Sequence, residues 1–155
     1  MKARDALPRR VPVFIKIAPD LDNAALSDIA AVARNARIDA IIATNTTLSR
    51  DNLTSQQQSE TGGLSGAPLF ERSTEILGRL YRETGGKIPL IGVGGIGSAQ
   101  QAWDKLRAGA TAIQLYSALI YQGFSLASRI AEELDDRLSR EKITLPELTG
   151  SASGL

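Results

Sequence analysis

The sequence predicts an α/β fold in which parallel strands alternate with helices. Four short apolar runs rich in β-branched residues are each followed by a stretch whose apolar residues recur every three or four positions. This alternation is typical of parallel strands joined by right-handed helical crossovers. The chain has 155 residues, 43% of them hydrophobic, and is therefore long enough for one domain with a core.

The first strand and helix are predicted near the N-terminus, after a polar lead-in over residues 1–10. The run 11–18 is apolar and β-branched and stops at Pro19-Asp20. Asp22 or Asn23 is a suitable N-cap for a helix that ends near Asn35. The expected buried face of this helix comprises Leu26, Ile29, Ala30 and Ala33.

The second unit contains an unusually long connection. A strand is predicted over 39–44, and the next helix over 69–84, ending at Gly85-Gly86. The polar segment 45–68 between them is longer than most loops in compact domains, which favours a functional role. The expected buried stripe of the second helix comprises Leu69, Ile76, Leu77 and Leu80.

The third unit contains a glycine turn suited to an anion. A buried strand over 88–93 runs into the turn 92–97, and Ser98 with Gln101 forms a predicted capping box for a helix over 98–108. Glycines at 92, 94 and 95 let backbone N–H groups and the positive helix end approach a phosphate closely. The spacing differs from the GxGxxG fingerprint of dinucleotide folds.

The fourth unit closes the pattern. A strand is predicted over 111–116 and a final helix over 125–140. The tail 144–155 is weakly patterned and is expected to be partly disordered, with Leu145 and Leu148 as docking candidates. The apolar positions expected to face inward in the last two helices are Ala102, Trp103, Leu106, Ile130, Leu134 and Leu138.

Side-chain parity along the strands predicts which face carries a site, since successive residues point to opposite faces. The face expected under the helices comprises Val13, Ile15, Ile17, Ile41, Ala43, Ile91, Val93, Ile113 and Leu115. The opposite face is expected to carry Lys16, Thr44, Gly92 or Gly94, and Gln114 or Tyr116. These positions fall near the C-terminal strand ends, where parallel α/β folds bind ligands.

Composition argues against several functional classes. Eighteen basic and seventeen acidic residues give a net charge of +1, without a basic stripe for nucleic acid. The absence of Cys and His disfavours zinc and triad chemistry, and no metal site is predicted. There is no apolar leader and no run of about 18 apolar residues, so a cytoplasmic chain is expected.

Five segments occur in a characteristic order over about residues 11–140. They are Ile15-Lys16-Ile17-Ala18-Pro19-Asp20-Leu21, Thr44-Asn45-Thr46-Thr47 with Ser49-Arg50, Gly62-Gly63-Leu64-Ser65-Gly66 before Pro68-Leu69, Gly92-Val93-Gly94-Gly95-Ile96, and Gln114-Leu115-Tyr116-Ser117-Ala118-Leu119. Together they resemble the dihydroorotate dehydrogenases, in particular the quinone-dependent, membrane-associated class. That family folds as a (β/α)₈ barrel with FMN at its C-terminal mouth.

The resemblance implies that residues 11–143 form the C-terminal half of a TIM barrel, about four βα units, which binds FMN. Lys16 resembles the lysine beside the flavin pyrimidine ring, and Thr44 a flavin-contacting strand end. Asn45 and Thr46 resemble substrate binders for dihydroorotate or orotate. The resemblance implies further flavin and phosphate contacts at Ser65, Gly66, Gly94, Gly95, Tyr116 and Ser117.

The resemblance also implies that other parts of the family's enzyme lie outside this sequence. The family's catalytic serine base belongs to an earlier loop, so no catalytic residue is assigned here. The helices that lead quinone and the membrane to the flavin are likewise unmatched, although the whole enzyme is expected peripherally on the inner membrane. The chain therefore resembles a fragment that needs an N-terminal half-barrel or self-association.

Two other interpretations stay open at this level. One is a phosphate-binding barrel enzyme without flavin, because the glycine turn alone does not specify FMN. The other is a non-catalytic half-barrel that associates with a copy of itself. For Lys16, the structural alternative is an ammonium that reaches a carboxylate at the sheet edge.

Overall fold

The fold is built on a four-stranded parallel sheet in the order β1-β2-β3-β4. The computed structural model describes residues 2–51 and 53–155. The strands are β1 (Phe14–Ile17), β2 (Ala40–Ala43), β3 (Leu90–Val93) and β4 (Ala112–Gln114). Each strand pairs in parallel with the next one in sequence, which confirms the predicted α/β class with parallel strands.

Seven helices and one 3₁₀ turn are found in the described residues. They are α1 (Lys2–Asp5), α2 (Asn23–Asn35), the turn Ala67–Leu69, α3 (Phe70–Thr84), α4 (Ala99–Arg107), α5 (Ser117–Gln122), α6 (Ser125–Glu141) and α7 (Leu145–Leu148). The four predicted helices correspond to α2, α3, α4 and α6. The short helices α1, α5 and α7 were not predicted, because segments of four to six residues carry no helical periodicity.

The helix starts follow from local side chains. Asp22 caps α2 by accepting a hydrogen bond from the Ala25 N–H at 2.8 Å. Ser98 caps α4 and accepts from the Gln101 N–H at 3.3 Å. The predicted capping box is modified here, since the Gln101 side chain accepts from the Gly97 N–H at 2.8 Å. This bond ties the glycine turn to the first turn of α4.

The core lies between the sheet and the helices that cover one of its faces. The predicted stripes are largely confirmed: Leu26, Leu77, Leu80 and Ala102 have no exposed surface. Ile29, Leu134 and Leu138 are only partly buried at the edge of this core. Burying such side chains contributes about 1.5–3 kcal/mol each and fixes the strand ends relative to one another.

The predicted face of β3 is wrong. Leu90 pairs with Ile41 and Gly92 with Ala43, so Leu90 and Gly92 lie on the helix side of the sheet. Ile91 is only half-buried, and Val93 lines the cavity at the mouth of the sheet. Alternation along the sequence does not decide which set of side chains faces the helices, because that depends on the register of each strand with its neighbour.

The lead-in is tied to the start of the sheet. Asp39 accepts a hydrogen bond from the Val13 N–H at 2.8 Å, and the Arg4 guanidinium lies 3.3 Å from the same carboxylate. Arg10 also contacts this carboxylate. The Val13 N–H and the two arginines hold the pKa of Asp39 below its usual value.

The tail is ordered, which corrects the expectation of partial disorder over 144–155. Leu148 is only 2% exposed and joins the main core, whereas Leu145 stays exposed. The Gly150 N–H donates to the Leu106 carbonyl and the Ala152 N–H to the Arg107 carbonyl, both at 3.0 Å. The tail therefore satisfies the carbonyls at the C-terminal end of α4.

The opposite face of the sheet is open. Phe14 is 49% exposed, and Lys16 on the same face is also exposed. Both outer strands, β1 and β4, have one side without a pairing strand in the described part of the chain. Of the helices in that part, none is long and apolar enough to cross a membrane.

Candidate functional site

A cavity of about 420 Å³ lies at the C-terminal ends of the strands. This volume is in the range of small-molecule and cofactor sites. All ten residues predicted for cofactor or substrate line it. They are Lys16, Thr44, Asn45, Thr46, Ser65, Gly66, Gly94, Gly95, Tyr116 and Ser117. Residues separated by a hundred positions in sequence thus line one cavity, because parallel strands bring their ends to one edge of the sheet.

The ends of β1 and β2 place the polar residues of one wall. The Asn45 N–H donates to the Ile17 carbonyl at 2.7 Å, and the Thr44 N–H donates to the Val93 carbonyl at 3.1 Å. The Thr44 side chain is buried and donates to the Asn45 carbonyl at 2.8 Å. The Asn45 amide oxygen accepts from the Thr46 N–H at 2.9 Å, which orients the amide nitrogen for a ligand.

Lys16 supplies the positive charge of the cavity. Its side chain is exposed, because the open face of the sheet leaves it in contact with solvent. Within the described residues it forms no ion pair, so the alternative of a carboxylate partner at the sheet edge is not supported. No carboxylate of those residues lines the cavity either.

The long loop after β2 is ordered by contacts that the sequence did not reveal. Thr47 and Leu64 form an antiparallel bridge, with hydrogen bonds of 3.1 and 2.8 Å. Asp20, in the turn after β1, contacts the Thr47 hydroxyl and accepts from the Leu48 N–H at 3.0 Å. Arg50 donates to the carbonyls of Thr47 at 3.2 Å and of Glu60 at 3.3 Å. The loop is therefore held against β1.

The glycines of the turn are required for its backbone conformation and packing as well as for ligand access. Gly94 has φ +113° and Gly95 φ +72°, conformations that L side chains rarely adopt. A Cβ on Gly95 would lie 2.6 Å from the Phe70 Cβ, and a Cβ on Gly94 would lie 2.7 Å from the Ser73 hydroxyl. These glycines allow the turn to pack against the start of α3, and Gly92 packs against Ala110 on the helix side.

Two backbone donors of the turn belong to residues that line the cavity. In the described residues the N–H groups of Gly95 and Ile96 have no protein acceptor, although both residues line the cavity. The Gly97 N–H donates to the Gln101 side chain, and the Gly97 carbonyl accepts from the Gln122 side chain at 3.0 Å. Free N–H groups beside the start of a helix are the donors that a phosphate requires.

A contact between the long loop and the start of α5 closes the cavity on the other side. Ser117 donates a hydrogen bond to Ser65 with 3.0 Å between the hydroxyl oxygens. Ser117 starts α5, and its neighbour Tyr116 is 76% exposed. The described residues contain no cluster of three or more acidic, Cys or His residues that is suited to a metal. The cavity is thus a site of hydroxyls, amides and one ammonium.

The cavity thus lies at the C-terminal strand ends of a parallel α/β sheet, and a family match can now be set beside this geometry. A model of the family described as dihydroorotate dehydrogenase matches residues 2–138. The chain belongs to the dihydroorotate dehydrogenase family. Family membership confirms the resemblance carried by the five segments and argues against an unrelated phosphate-binding barrel.

Curated members of the dihydroorotate dehydrogenase family are similar over most of this chain. The dihydroorotate dehydrogenase (quinone) of Cereibacter sphaeroides (strain KD131) is 58% identical over 141 residues, which are 91% of this chain and 40% of that protein. The protein of the same name from Rhizobium johnstonii is 50% identical over 147 residues, 92% of this chain and 41% of that protein. The chain thus spans about two fifths of their length.

Solved structures of the family show the same fold. The ligand-free dihydroorotate dehydrogenase of Eimeria tenella superimposes with a TM-score of 0.88 at 39% identity, covering 94% of this chain and 41% of that one. Its complex with ferulenol gives a TM-score of 0.87. The four-stranded sheet is consistent with part of a TIM barrel.

Proposed function

We propose that this chain is the FMN- and orotate-binding half of a dihydroorotate dehydrogenase that uses quinone as electron acceptor in pyrimidine biosynthesis. The observation that carries the proposal is the convergence of all ten predicted residues on one cavity. The cavity combines phosphate donors at one end with an ammonium and a carboxamide at the other. The chemistry that FMN supplies is acceptance of a hydride from dihydroorotate and delivery of electrons to quinone.

The phosphate of FMN would be held by donors from two parts of this cavity. The free N–H groups of Gly95 and Ile96 approach from one side, and the hydroxyls of Ser65 and Ser117 from the other. Gly66 adds a surface without a side chain, and a Cβ there would lie 3.7 Å from the Ser117 Cβ. This donor set suits a phosphate dianion.

Lys16 would stabilise negative charge on the pyrimidine edge of the reduced cofactor. A full charge at about 4 Å and an effective dielectric of about 20 corresponds to roughly 4 kcal/mol of gross attraction, before desolvation. Lys16 is exposed in this chain, so its ammonium keeps most of its hydration on the open face of the sheet. Its role is therefore to tune the cofactor and not to stabilise the core.

Asn45 and Thr46 would hold the substrate ring. The Asn45 amide is oriented by the Thr46 N–H, and both side chains are exposed to the cavity. A carboxamide and a hydroxyl match the mixed donors and acceptors of a pyrimidine ring. Thr44 lies beneath them with its hydroxyl bonded to the Asn45 carbonyl, and so forms the floor of the site.

The catalytic base is proposed to lie outside this chain. Neither carboxylates nor histidines line the cavity in the described residues, and the Ser65 and Ser117 hydroxyls are bonded to each other. The free outer edges of strands β1 and β4 are proposed to pair with the complementary strands of an N-terminal half-barrel, which would also enclose the open sheet face. The quinone site and any peripheral contact with a membrane would belong to the assembled enzyme.

The decisive experiment mixes this chain with the N-terminal part of the Cereibacter sphaeroides relative that it does not match. Orotate formation is followed with FMN and a quinone acceptor. We expect activity from the pair and not from either part, because a general base contributes about 10²–10⁴-fold and substrate positioning adds to that. Full activity of this chain alone would refute the assignment of the base.

A control separates flavin binding from catalysis. The pair made with Asn45→Ala should still bind FMN, which is seen in its visible absorbance, but should turn over dihydroorotate far more slowly. An unchanged rate with this variant would remove Asn45 from the substrate site. A pair that binds no flavin would contradict the proposed cofactor.

A self-associating half-barrel is the second candidate, favoured by the exposed inner face around Phe14. In that case a second copy of the chain would cover the face that the N-terminal half otherwise covers. Loss of self-association on addition of the N-terminal part would favour the first function, since both would compete for the same strands.

A further inference from the structure

A buried lysine lies directly behind the glycine turn. Lys105 on α4 has no exposed surface, and its Nζ lies 2.6 Å from the Ser73 hydroxyl oxygen. The same nitrogen is 5.1 Å from the centroid of the Phe70 ring. A fully buried lysine is rare unless it is paired, and none of the roles proposed above uses Lys105.

Ser73 connects this lysine to the turn. Its hydroxyl oxygen is 3.2 Å from the Gly94 carbonyl oxygen and 3.1 Å from that of Phe70. An ammonium only donates hydrogen bonds, so Ser73 accepts from a protonated Lys105 and gives its single proton to one of these carbonyls. The hydrogen bond that the Ser73 hydroxyl donates becomes stronger when this hydroxyl also accepts from the charged ammonium.

The orientation of one peptide group follows from this contact. In a trans peptide the C=O and N–H bonds point in opposite directions. The Gly94 carbonyl is turned towards Ser73, so the Gly95 N–H is turned away from it. Gly95 lines the cavity, and its N–H has no acceptor among the described residues.

Resting on the function proposed above, we propose that Lys105 is a positioning residue for the phosphate of FMN. Acting through Ser73, its ammonium holds the Gly94–Gly95 peptide with the N–H directed at the phosphate, and it adds positive charge behind the turn. The lysine touches no ligand. It acts from the core side of a backbone segment whose other side faces the cavity.

Little else in the surroundings compensates this charge. Strands β3 and β4 carry no ionisable residue. The described structure has no ion pair of Lys105 with a carboxylate within 4.0 Å. Among the charged groups on the contacting helices, Glu71, Glu75, Arg82, Asp104 and Arg107 line the groove beside Phe70, and the Arg137 guanidinium stacks on Trp103.

Protonation and phosphate binding are therefore coupled. Burial lowers the pKa of Lys105 to about 7, so the ammonium is lost from the free chain as the pH rises above neutrality. A phosphate dianion bound in front of the turn favours the ammonium, and by reciprocity the ammonium favours the phosphate. Affinity for the phosphate should consequently fall as the pH rises above 7.

The test compares FMN with riboflavin, which has the same ring system and no phosphate. Both are titrated into this chain between pH 7 and pH 9, where the phosphate is already a dianion, and binding is followed by flavin fluorescence. We expect the preference for FMN over riboflavin to fall about tenfold, which is within the usual range of coupling between two binding events. A preference that does not change with pH would overturn the inference.

Variants of Lys105 and Ser73 test whether the pH dependence of FMN binding comes from this buried pair. Lys105→Met and Ser73→Ala should each reduce the preference for FMN and remove its pH dependence. Lys87→Met, at an exposed lysine in the turn before β3, should behave like the wild type. A Lys105→Met chain with wild-type preference and pH profile would also overturn the inference.

The wild-type profile needs no variant, so the proposal stays testable if Lys105→Met does not fold. A chain that binds FMN in preference to riboflavin, but with no pH dependence, refutes the role of Lys105 and leaves the phosphate site intact. A chain with no preference for FMN at any pH refutes the phosphate site itself, and the inference with it.

Discussion

The hydroxyls of Ser65 and Ser117 meet across the cavity, 3.0 Å apart, although 52 positions separate them in sequence. The first belongs to the long loop after β2 and the second begins α5. This contact joins the loop after β2 directly to the start of a short helix. The contact closes one side of the candidate site.

Ser117→Ala is expected to lower the affinity for FMN about tenfold and to leave riboflavin affinity unchanged. A hydrogen bond to a charged group contributes about 1.5–3 kcal/mol, and the lower end of this range corresponds to the expected loss. Fluorescence titration of both flavins measures the effect. Ser151→Ala, at an exposed serine of the tail, is the control. Equal losses for FMN and riboflavin would place Ser117 away from the phosphate.

Lys16→Met should keep the helical circular dichroism and lower the flavin reduction potential, or cause loss of the cofactor. The expected shift is about 30 mV or more, since 30 mV corresponds to about 1.4 kcal/mol for two electrons. The potential is measured by dye-coupled reduction of the flavin-loaded chain, with Lys87→Met as the control. Wild-type potential and occupancy in Lys16→Met would mean that the ammonium does not interact with the ring.

Gly95→Ala should lose FMN binding and stability together. The residue has φ +72°, and its Cβ would lie 2.6 Å from the Phe70 Cβ, so strain and overlap add to an expected loss of about 2–4 kcal/mol in unfolding free energy. Gly85 has φ +62° with nothing near its Cβ position, and Gly85→Ala should cost only about 1 kcal/mol. Urea unfolding of both variants isolates the cost of the close contact.

A valine at 94 or 95 is expected to disturb both the phosphate site and the packing of the turn. Gly94→Val and Gly95→Val should abolish FMN binding, but the overlap with α3 disrupts the turn as well. Unchanged flavin content in either variant would still contradict the phosphate assignment.

Stability should rise with pH because of Lys105. Its pKa lies at about 7 in the folded chain, against an ordinary value of 10.5, owing to burial. Between these values the unfolded chain holds a proton that the folded chain has released, so the free energy of unfolding increases with pH. From pH 7 to pH 9 we expect a gain of about 2–3 kcal/mol in urea unfolding. Lys105→Met should lack this gain. If the free energy of unfolding rose equally with pH in both proteins, the lowered pKa of Lys105 would be contradicted.

The isolated chain should self-associate. Strands β1 and β4 have unpaired edges, and the inner face exposes Phe14 beside the half-buried Ile42 and Ile91. Leu90 would lie on this face if Ile91 and Val93 lay under the helices as expected, but it is fully buried on the other side of the sheet. Light scattering over a range of concentrations should detect oligomers, and Phe14→Ser should reduce them. A cooperative monomer at high concentration would show that the face is covered in another way.

Much of the candidate site was predictable from the sequence, because its residues follow strand ends. A parallel α/β order brings all such ends to one edge, so Lys16, Asn45, Gly94 and Ser117 share a cavity once the order of strands and helices is known. The order itself follows from local periodicity and caps. Neither step needs the distances between elements.

The face of β3 and the environment of Lys105 were decided by the tertiary structure. The register of Leu90 with Ile41 depends on how a strand slides against its neighbour, and no local pattern records that displacement. Lys105 lies beside the apolar stripe of α4, and its burial arises only when Phe70 and Ser73 of α3 close over it. Sequence periodicity thus determined the elements and the edge where their ends meet, whereas long-range packing decided which side chains lie behind that edge, since burial depends on contacts between distant segments.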